Sequence, residues 1–292
     1  MKILNKIIIL LMLTSLLSYG YGGSNYIYED LSKTYTLAIS PYDTMYLTLN
    51  PIFSTKNDFT KVIAVEAIIE IHLKNQNYKD YKIIIEKDKE EYIYNLFDEV
   101  TRLPLQLGSG KYEVVLLGSE DGRRFKTLNK TAFEVVLEDD VVFLNSSQTV
   151  YFEADDQVVT LAKTLTKNAK TPEEKLKIIH TYVIKNVRYD YEKAKDLPKG
   201  YVPSPSETLE SKGGICYDFS AVLGAMLRGV EVPTKLIKGY SSYTPVYHAW
   251  NEVLIDGEWW VIDSSTDSIF YDYKVKYNLR KSEEDYETSK FY

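Results

Sequence analysis

The stretch between Gly213 and Asp263 holds a cysteine, a histidine and an aspartate in an order suited to thiol chemistry. Cys216 is the only cysteine among the 292 residues. A thiolate attacks a carbonyl carbon, an imidazole takes and returns the proton, and a carboxylate orients the imidazole. The residues Cys216, His248 and Asp263 therefore predict nucleophilic catalysis at an acyl carbon.

Cys216 stands at the start of a predicted helix, because the apolar residues after it recur at helical spacing. These residues are Phe219, Val222, Leu223 and Met226. Cys216 lies on the same stripe, so its sulfur is expected to point inward. Unpaired N–H groups and the helix dipole favour a thiolate there, and the amide of Cys216 could donate to an oxyanion. Taken alone, however, a single cysteine is more often a small buried residue.

His248 and Asp263 fall on a predicted hairpin. Residues 247–255 and 258–263 are strand-like and flank Asp256-Gly257, a dipeptide typical of two-residue turns. If Ile255 pairs with Glu258, His248 and Asp263 lie diagonally on one face of the sheet, within reach of one hydrogen bond. A one-residue slip would separate them, so the register is a test of the pair.

Other residues are interpreted from the same pattern. Trp250 and Val261 would share that face and shield the His248–Asp263 pair from water. His72, in an apolar strand, and His180, in a helix, lack such a setting and are predicted to be structural.

The same stretch resembles a known family. The matching segments are GGICYDFSAVLGAMLRG, EVPTKLIKGY, YHAWNEV and GEWWVID, with TPEEKLKIIHTYVIKNVRYDYEKA upstream. They are similar to the transglutaminase-like superfamily, in particular its secreted bacterial branch, over roughly residues 141–270. The resemblance implies an α+β catalytic domain of the papain/transglutaminase type, with a helix packed on an antiparallel sheet. It also implies that Cys216 is the nucleophile, His248 the base and Asp263 the orienting acid.

Further site residues follow from the resemblance. The family's second oxyanion donor is an aromatic residue upstream of the cysteine, and Tyr189 is the nearest match. Tyr217 and Trp250 are the other candidates for the oxyanion site or the cleft. The calcium-binding acidic loop of the animal enzymes is not recognisable, so neither a metal nor a cofactor is expected.

Residues 1–22 are predicted to be a signal peptide. Lys2 and Lys6 precede an apolar run, and small residues around Gly20 suit cleavage. The run is shorter than the roughly 20 residues of an ordinary spanning helix, and no later stretch predicts a membrane span. We therefore expect a secreted or cell-envelope protein, with an uncleaved anchor as the alternative.

Charge and cysteine content exclude some functions. The formal net charge is −7 and becomes −9 without Lys2 and Lys6, which argues against a nucleic-acid partner. One cysteine allows no intramolecular disulfide, and an odd thiol in an exported protein is a candidate reactive group.

Residues 23–140 are predicted to form a β-sandwich of immunoglobulin type. The candidate strands are 62–71, 81–86, 111–117 and 133–137. No site residues cluster there, which favours an accessory or spacer domain, with a substrate- or wall-binding module as the alternative.

Residues 141–275 are predicted to be the catalytic domain, and residues 276–292 a polar, solvated tail. Helices are expected over 155–169 and after Thr171-Pro172, a capping signature. Residues 185–212, rich in proline, are expected to be irregular and to line one side of the cleft.

The predicted function is thiol-dependent acyl transfer or hydrolysis at amide carbonyls of envelope or extracellular peptides, including cell-wall peptides. The sequence leaves open whether water or an amine accepts the acyl group, and it leaves the oligomeric state open. Two alternatives remain: an inactive binding protein that keeps the fold, and a structural envelope protein whose thiol pairs with another chain.

Overall fold

The structure is a computed structural model that describes residues 36–38, 59–65, 67–73, 78–96, 100–137 and 141–292. The predicted signal peptide, residues 1–22, lies outside the described residues. Its cleavage and the location of the protein therefore stay predictions.

The described residues of the N-terminal half form eight strands. They are β1 (Thr36–Ala38), β2 (Phe59–Val65), β3 (Ile68–Leu73), β4 (Asp80–Lys87), β5 (Glu90–Leu96), β6 (Val100–Pro104), β7 (Gly110–Ser119) and β8 (Lys126–Val136). One sheet has the order β1-β8-β7-β4-β5 and a second has the order β2-β3-β6. Within them β1 and β8 run parallel, and the other pairs run antiparallel.

Both sheets contribute to one hydrophobic core. Ile69 and Leu103 of the three-stranded sheet are packed with Ile83, Tyr112 and Phe133 of the five-stranded sheet, and all are almost fully buried. Antiparallel sheet structure is thus present as expected, while the immunoglobulin topology stays a prediction.

The predicted strand over 62–71 is wrong in one respect. Ala67 has a positive φ of 64° and separates β2 from β3, which pair as a hairpin. The alternating sequence around Ala67 hides such a turn, because no glycine, proline or asparagine marks it.

The second half consists of helices, a four-stranded antiparallel sheet and a short parallel pair of strands. The helices are α1 (Gln157–Thr166), α2 (Pro172–Asn186), α3 (Tyr191–Lys195), α4 (Pro205–Ser211), α5 (Cys216–Arg228) and α6 (Ser264–Asp272). The strands are β9 (Arg188–Tyr189), β10 (Gly213–Gly214), β11 (Thr234–Ser241), β12 (Thr244–Ile255), β13 (Glu258–Ile262) and β14 (Tyr286–Phe291). Short 3-10 turns span Val141–Leu144 and Glu283–Asp285.

Helix α5 packs against the sheet of order β13-β12-β11-β14. Its apolar residues, Phe219 and Leu223 among them, are buried with Leu236, Val253 and Ile262 of the strands. Helices α1 and α2 cover other sides of α5. The expected arrangement of a helix on an antiparallel sheet is confirmed, in a mixed α+β domain.

The hairpin register is confirmed. Ile255 pairs with Glu258, and Asp256 and Gly257 both have positive φ, as a two-residue turn requires. One detail is wrong: β13 ends at Ile262, so Asp263 is the N-cap of α6 rather than a strand residue. The helix that follows was not predicted.

The segment 185–212 is more regular than expected. It contains α3 and α4, and β9 pairs in parallel with β10. Both helices begin at a side-chain cap, Asp190 and Ser204. Proline 205 stands at the start of α4, where proline favours a helix rather than breaking it.

The predicted polar tail is mostly exposed or half-buried, but it contains a strand that was not expected. Strand β14 pairs with β11, so the C-terminal residues complete the sheet. Phe291 and Tyr292 pack against Tyr92 of β5, and Lys290 forms an ion pair with Glu90 at 3.0 Å. The segment is polar because β14 is an edge strand whose side chains are exposed or half-buried. The domain boundaries at residues 140 and 275 stay predictions.

Among the described helices, none combines the length and the apolar character that crossing a membrane would require.

Candidate active site

The N-terminus of α5 is held by a buried carboxylate. Asp218 accepts a hydrogen bond from the backbone N–H of Ile215 at 2.8 Å, from the hydroxyl of Tyr201, and pairs with the Lys193 ammonium at 2.8 Å. Gly214 makes this possible, since a Cβ there would lie 2.6 Å from the Asp218 Cβ. These contacts set the direction of the first turn, on which Cys216 is partly exposed.

His248 lies between Cys216 and Asp263. Its Nε2 is 2.8 Å from Oδ2 of Asp263, and its imidazole interacts electrostatically with the Cys216 thiol. Since Asp263 occupies Nε2, Nδ1 is the nitrogen left for the sulfur. The structure thus brings together the three residues that the sequence singled out.

Asp263 is fully buried and saturated with hydrogen-bond donors. Oδ1 accepts from the Ser265 hydroxyl at 2.9 Å and from the backbone N–H of Thr266 at 3.0 Å. Oδ2 accepts from the Thr266 hydroxyl at 2.7 Å and the Tyr286 hydroxyl at 3.0 Å, besides His248. Since every donor points at the carboxylate, it can only act as an acceptor.

The electrostatics favour a charged pair. Burial alone would lower the pKa of His248, but its hydrogen bonds and the negative charges of Asp263 and Cys216 outweigh burial and raise it. Burial would raise the pKa of Asp263, but the His248 imidazolium and the Thr266 donors lower it below the usual range. At neutral pH the imidazole is therefore protonated.

Tyr189 lies next to the start of α5. Strand β9 pairs Tyr189 with Gly214, and the Tyr189 hydroxyl is close to the Cys216 backbone N–H. Burial, followed by the charge of Cys216, raises the pKa of Tyr189 to about 12. The hydroxyl is thus protonated, and it can donate together with the amide to one oxyanion.

The other two aromatic candidates lie elsewhere. Trp250 is buried beneath His248, with ring centroids 6.2 Å apart, and packs on Tyr286 at 4.9 Å. It shields the imidazole, as expected, but its indole N–H has no hydrogen-bond partner within the described structure. The Tyr217 ring lies under the Lys238 ammonium at 3.7 Å. The Tyr189 hydroxyl is close to the Cys216 backbone N–H, and neither the Trp250 ring nor the Tyr217 ring takes that position.

Gly239 allows β14 to approach the site. Gly239 pairs with His248 on one side and, at a bulge, with Thr288 on the other. A Cβ there would lie 2.0 Å from the Glu287 carbonyl oxygen and 2.9 Å from the Trp250 ring. Only glycine fits this crossing, which brings Tyr286 to Asp263.

His180 is buried in α2 and pairs with Asp267 of α6 at 2.9 Å. Asp267 also binds the Lys281 ammonium, so this pair anchors α6 to its neighbours. The His72 side chain lies outside what the structure describes. No group of His, Cys, Asp or Glu in the described ranges is arranged to hold a metal ion.

Comparison with known proteins identifies the domain. Residues 159–264 match the family model described as the transglutaminase-like superfamily. These residues form a transglutaminase-like superfamily domain. A UPF0252 protein of Methanocaldococcus jannaschii is 31% identical over 113 residues, which are 35% of this chain and 32% of that protein. The chain thus matches about a third of that curated relative.

Two solved structures are also similar to this chain, at lower sequence identity. A candidate cysteine protease from Cytophaga hutchinsonii is 16% identical, with a TM-score of 0.40 over 71% of this chain and 70% of that one. The red sea bream transglutaminase is 13% identical, with a TM-score of 0.22 over 72% of this chain and 49% of that one.

Three residues around Asp263 were missed by sequence reasoning: Ser265, Thr266 and Tyr286. The first two had a local signal, because an aspartate followed by Ser-Ser-Thr-Asp is typical of a helix start. Tyr286 had none, since it arrives from a strand 23 residues along the chain.

Tyr286→Phe is expected to slow acyl transfer about three- to tenfold by removing one donor from a buried carboxylate. Burial and the adjacent Asp263 charge raise the pKa of Tyr286, so its hydroxyl stays protonated and donates. The loss should also shift the pH profile of Cys216 alkylation, because the His248–Asp263 pair is weakened.

Tyr243→Phe is the matched control. Its ring also contacts the Tyr286 ring, at 5.9 Å, but its hydroxyl bonds to Asp285 at 3.3 Å. The acyl-transfer rate of Tyr243→Phe should stay within about twofold of the native rate. Its pH profile of Cys216 alkylation should match that of the native protein. Equal effects of the two substitutions would contradict a positioning role for Tyr286.

Proposed function

We propose that the protein is a thiol-dependent enzyme that transfers or hydrolyses acyl groups at amide carbonyls of peptides or proteins. The carrying observation is the His248 imidazole, which is hydrogen-bonded to the buried Asp263 carboxylate and interacts electrostatically with the Cys216 thiol. The superfamily match over residues 159–264 supports the same chemistry.

The proposed reaction begins with attack of the Cys216 thiolate on the amide carbonyl carbon. The C–S bond forms, and the oxyanion is held by the Cys216 amide and the Tyr189 hydroxyl. His248 then gives its proton to the leaving nitrogen as the C–N bond breaks, which leaves a thioester. Water or an amine attacks the thioester, His248 takes the proton of that nucleophile, and the thiolate is released.

The proposed substrates are envelope or extracellular peptides and proteins, including cell-wall peptides. This part rests on the predicted signal peptide in residues 1–22 and on the acidic charge, which disfavours nucleic acid. Whether water or an amine is the acceptor depends on which of the two enters the cleft faster.

The decisive measurement is alkylation of Cys216 by iodoacetamide at pH 6. A thiolate paired with an imidazolium should react about tenfold or more faster than N-acetylcysteine, whose thiol is almost wholly protonated at that pH. Loss of this excess in His248→Ala would show that the imidazole causes it.

Two other outcomes separate the alternatives. Slow alkylation typical of a free thiol would favour a binding protein that keeps the fold without catalysis. A stable intermolecular disulfide on a non-reducing gel of native envelopes would favour a structural role for Cys216.

A further inference from the structure

Asn251 of β12 is a fully buried amide in the contact between the sheet and α5. Its Nδ2 group donates to the carbonyl oxygen of Ser220 in α5 and to that of Lys235 in β11, both at 3.0 Å. Because both neighbours are acceptors, the amide nitrogen is the end of the side chain that faces them. One side chain thus joins the helix that carries Cys216 to two strands of the sheet.

The same side chain is only partly satisfied. Within the described residues, Oδ1 of Asn251 has no hydrogen-bond partner, and a buried acceptor without a donor is unfavourable. Other residues in the contact, such as Leu223 and Val253, are apolar. The Ser220 carbonyl lies inside α5 and would keep its helical partner without Asn251. An apolar residue of similar size would therefore suit this position about as well, so stability alone does not account for an asparagine.

The amide adds direction to the contact. The apolar contacts of α5 with the strands do not depend on direction, so they permit the helix to slide along the sheet by a fraction of a turn. A hydrogen bond weakens steeply as its length and angle change. The two hydrogen bonds of Asn251 therefore fix where along the sheet α5 lies.

This point of attachment is near both reacting residues along their own elements. Ser220 is one helical turn after Cys216, and its hydroxyl donates to the Cys216 carbonyl oxygen at 2.9 Å. His248 precedes Asn251 on the same strand, roughly 10 Å away along β12. Any shift of α5 at Asn251 would move Cys216 relative to His248 by a similar amount, because the helix and the strand are each held by their own backbone hydrogen bonds.

We propose that Asn251 is a positioning residue that sets the separation of the Cys216 sulfur and the His248 imidazole by holding α5 in place on the sheet. The inference rests on the proposed function, because it takes these two groups as the reacting pair. A misplacement of about 1 Å can cost about 100-fold in rate. Loss of the amide should therefore affect reactivity far more than stability.

Asn251→Leu in the full-length protein is the test. Leucine is similar in size and removes the unpartnered acceptor together with the donor, so the melting temperature should change little. Alkylation of Cys216 by iodoacetamide at pH 6 should lose most of its roughly tenfold excess over N-acetylcysteine, and its pH profile should move toward that of a free thiol. Incorporation of a fluorescent amine into casein should fall about 10- to 100-fold.

Val253→Ala is the matched control. Val253 is buried on the same side of β12 as Asn251, and its side chain can make only apolar contacts. Its truncation should lower the melting temperature because it leaves a cavity. The folded protein should keep the native pH profile of alkylation, since the hydrogen bonds of Asn251 remain.

A native pH profile in folded Asn251→Leu would overturn the proposal, even if the native thiol reacts fast. If the leucine variant does not fold, Asn251→Val decides in the same way, because valine also lacks the amide and favours a strand. Failure of both variants to fold would overturn the proposal too, since Asn251 would then be required for stability. Slow reaction of the native thiol at pH 6 would instead count against the proposed function.

Discussion

Replacing Cys216 by alanine is expected to reduce amine incorporation and peptide cleavage to the uncatalysed background, a loss on the order of 10³-fold or more. The substitution removes a single sulfur atom, and no other cysteine is present to replace it. The fold should be kept, because alanine favours a helix and the first turn of α5 is held by Asp218 rather than by the sulfur.

The measurement is release of ammonia or incorporation of a fluorescent amine with casein as acyl donor, beside cleavage of labelled casein. Mass spectrometry of cell-wall peptides incubated with and without the protein would add the mass change. A loss of ammonia, a gain of water or no change distinguishes the possible acyl acceptors.

Ser220→Ala is the control for Cys216→Ala. It deletes one atom a turn further along the same helix, where the hydroxyl donates to the Cys216 carbonyl oxygen at 2.9 Å. The activity of Ser220→Ala should stay near that of the native protein. Activity retained by the Cys216→Ala protein would exclude Cys216 as the nucleophile, provided that the melting curves of both variants match the native one.

Asp263→Asn is expected to cost roughly 10²–10⁴-fold in turnover. Asparagine still caps α6 well, so the fold should be retained. Its carbonyl oxygen can keep the contacts of Oδ1 with Ser265 and Thr266. Its NH₂ group then replaces Oδ2 and faces donors, among them Nε2 of His248.

The asparagine also changes which tautomer His248 adopts. To accept from the NH₂ group, the imidazole must carry its proton on Nδ1, the nitrogen that faces the sulfur. A neutral imidazole in that form cannot take the proton of the thiol. Fast alkylation of Cys216 at pH 6 should therefore be lost together with turnover.

Asp267→Asn provides the contrast. Asp267 also holds a buried histidine, His180, and lies one turn further along the same helix. Breaking that network should lower the melting temperature, because Lys281 keeps a buried charge, while the folded fraction keeps its turnover. Full activity of Asp263→Asn would show that another residue orients His248.

The pH dependence of stability has a defined sign. The raised pKa of His248 contributes stability below about pH 6.5, and this contribution is lost as pH rises through the folded value. The lowered pKa of Asp263 contributes stability above about pH 4, and this is lost as pH falls. The free energy of unfolding of the native protein should therefore fall above about pH 6.5 and below about pH 4. It should fall less in Asp263→Asn.

Several features of the molecule could be predicted from the sequence because they depend on neighbours along the chain. Helical spacing after Cys216 and the Asp256-Gly257 turn placed Cys216 on a helix and His248 on a strand. The hairpin register followed from the turn alone, and with it the parity that lets His248 meet Asp263. Local signals of this kind need no knowledge of the rest of the fold.

The remaining features depend on segments that meet only in the folded chain. The polarity of residues 286–291 suggested a solvated tail, yet pairing with β11 makes them a strand that brings Tyr286 to Asp263. Lys193 reaches Asp218, and Tyr292 meets Lys238, through contacts whose formation depends on packing around α5. The sequence thus determined which groups could react, while tertiary structure decided which groups surround them, because long-range contacts leave no periodic trace in the chain.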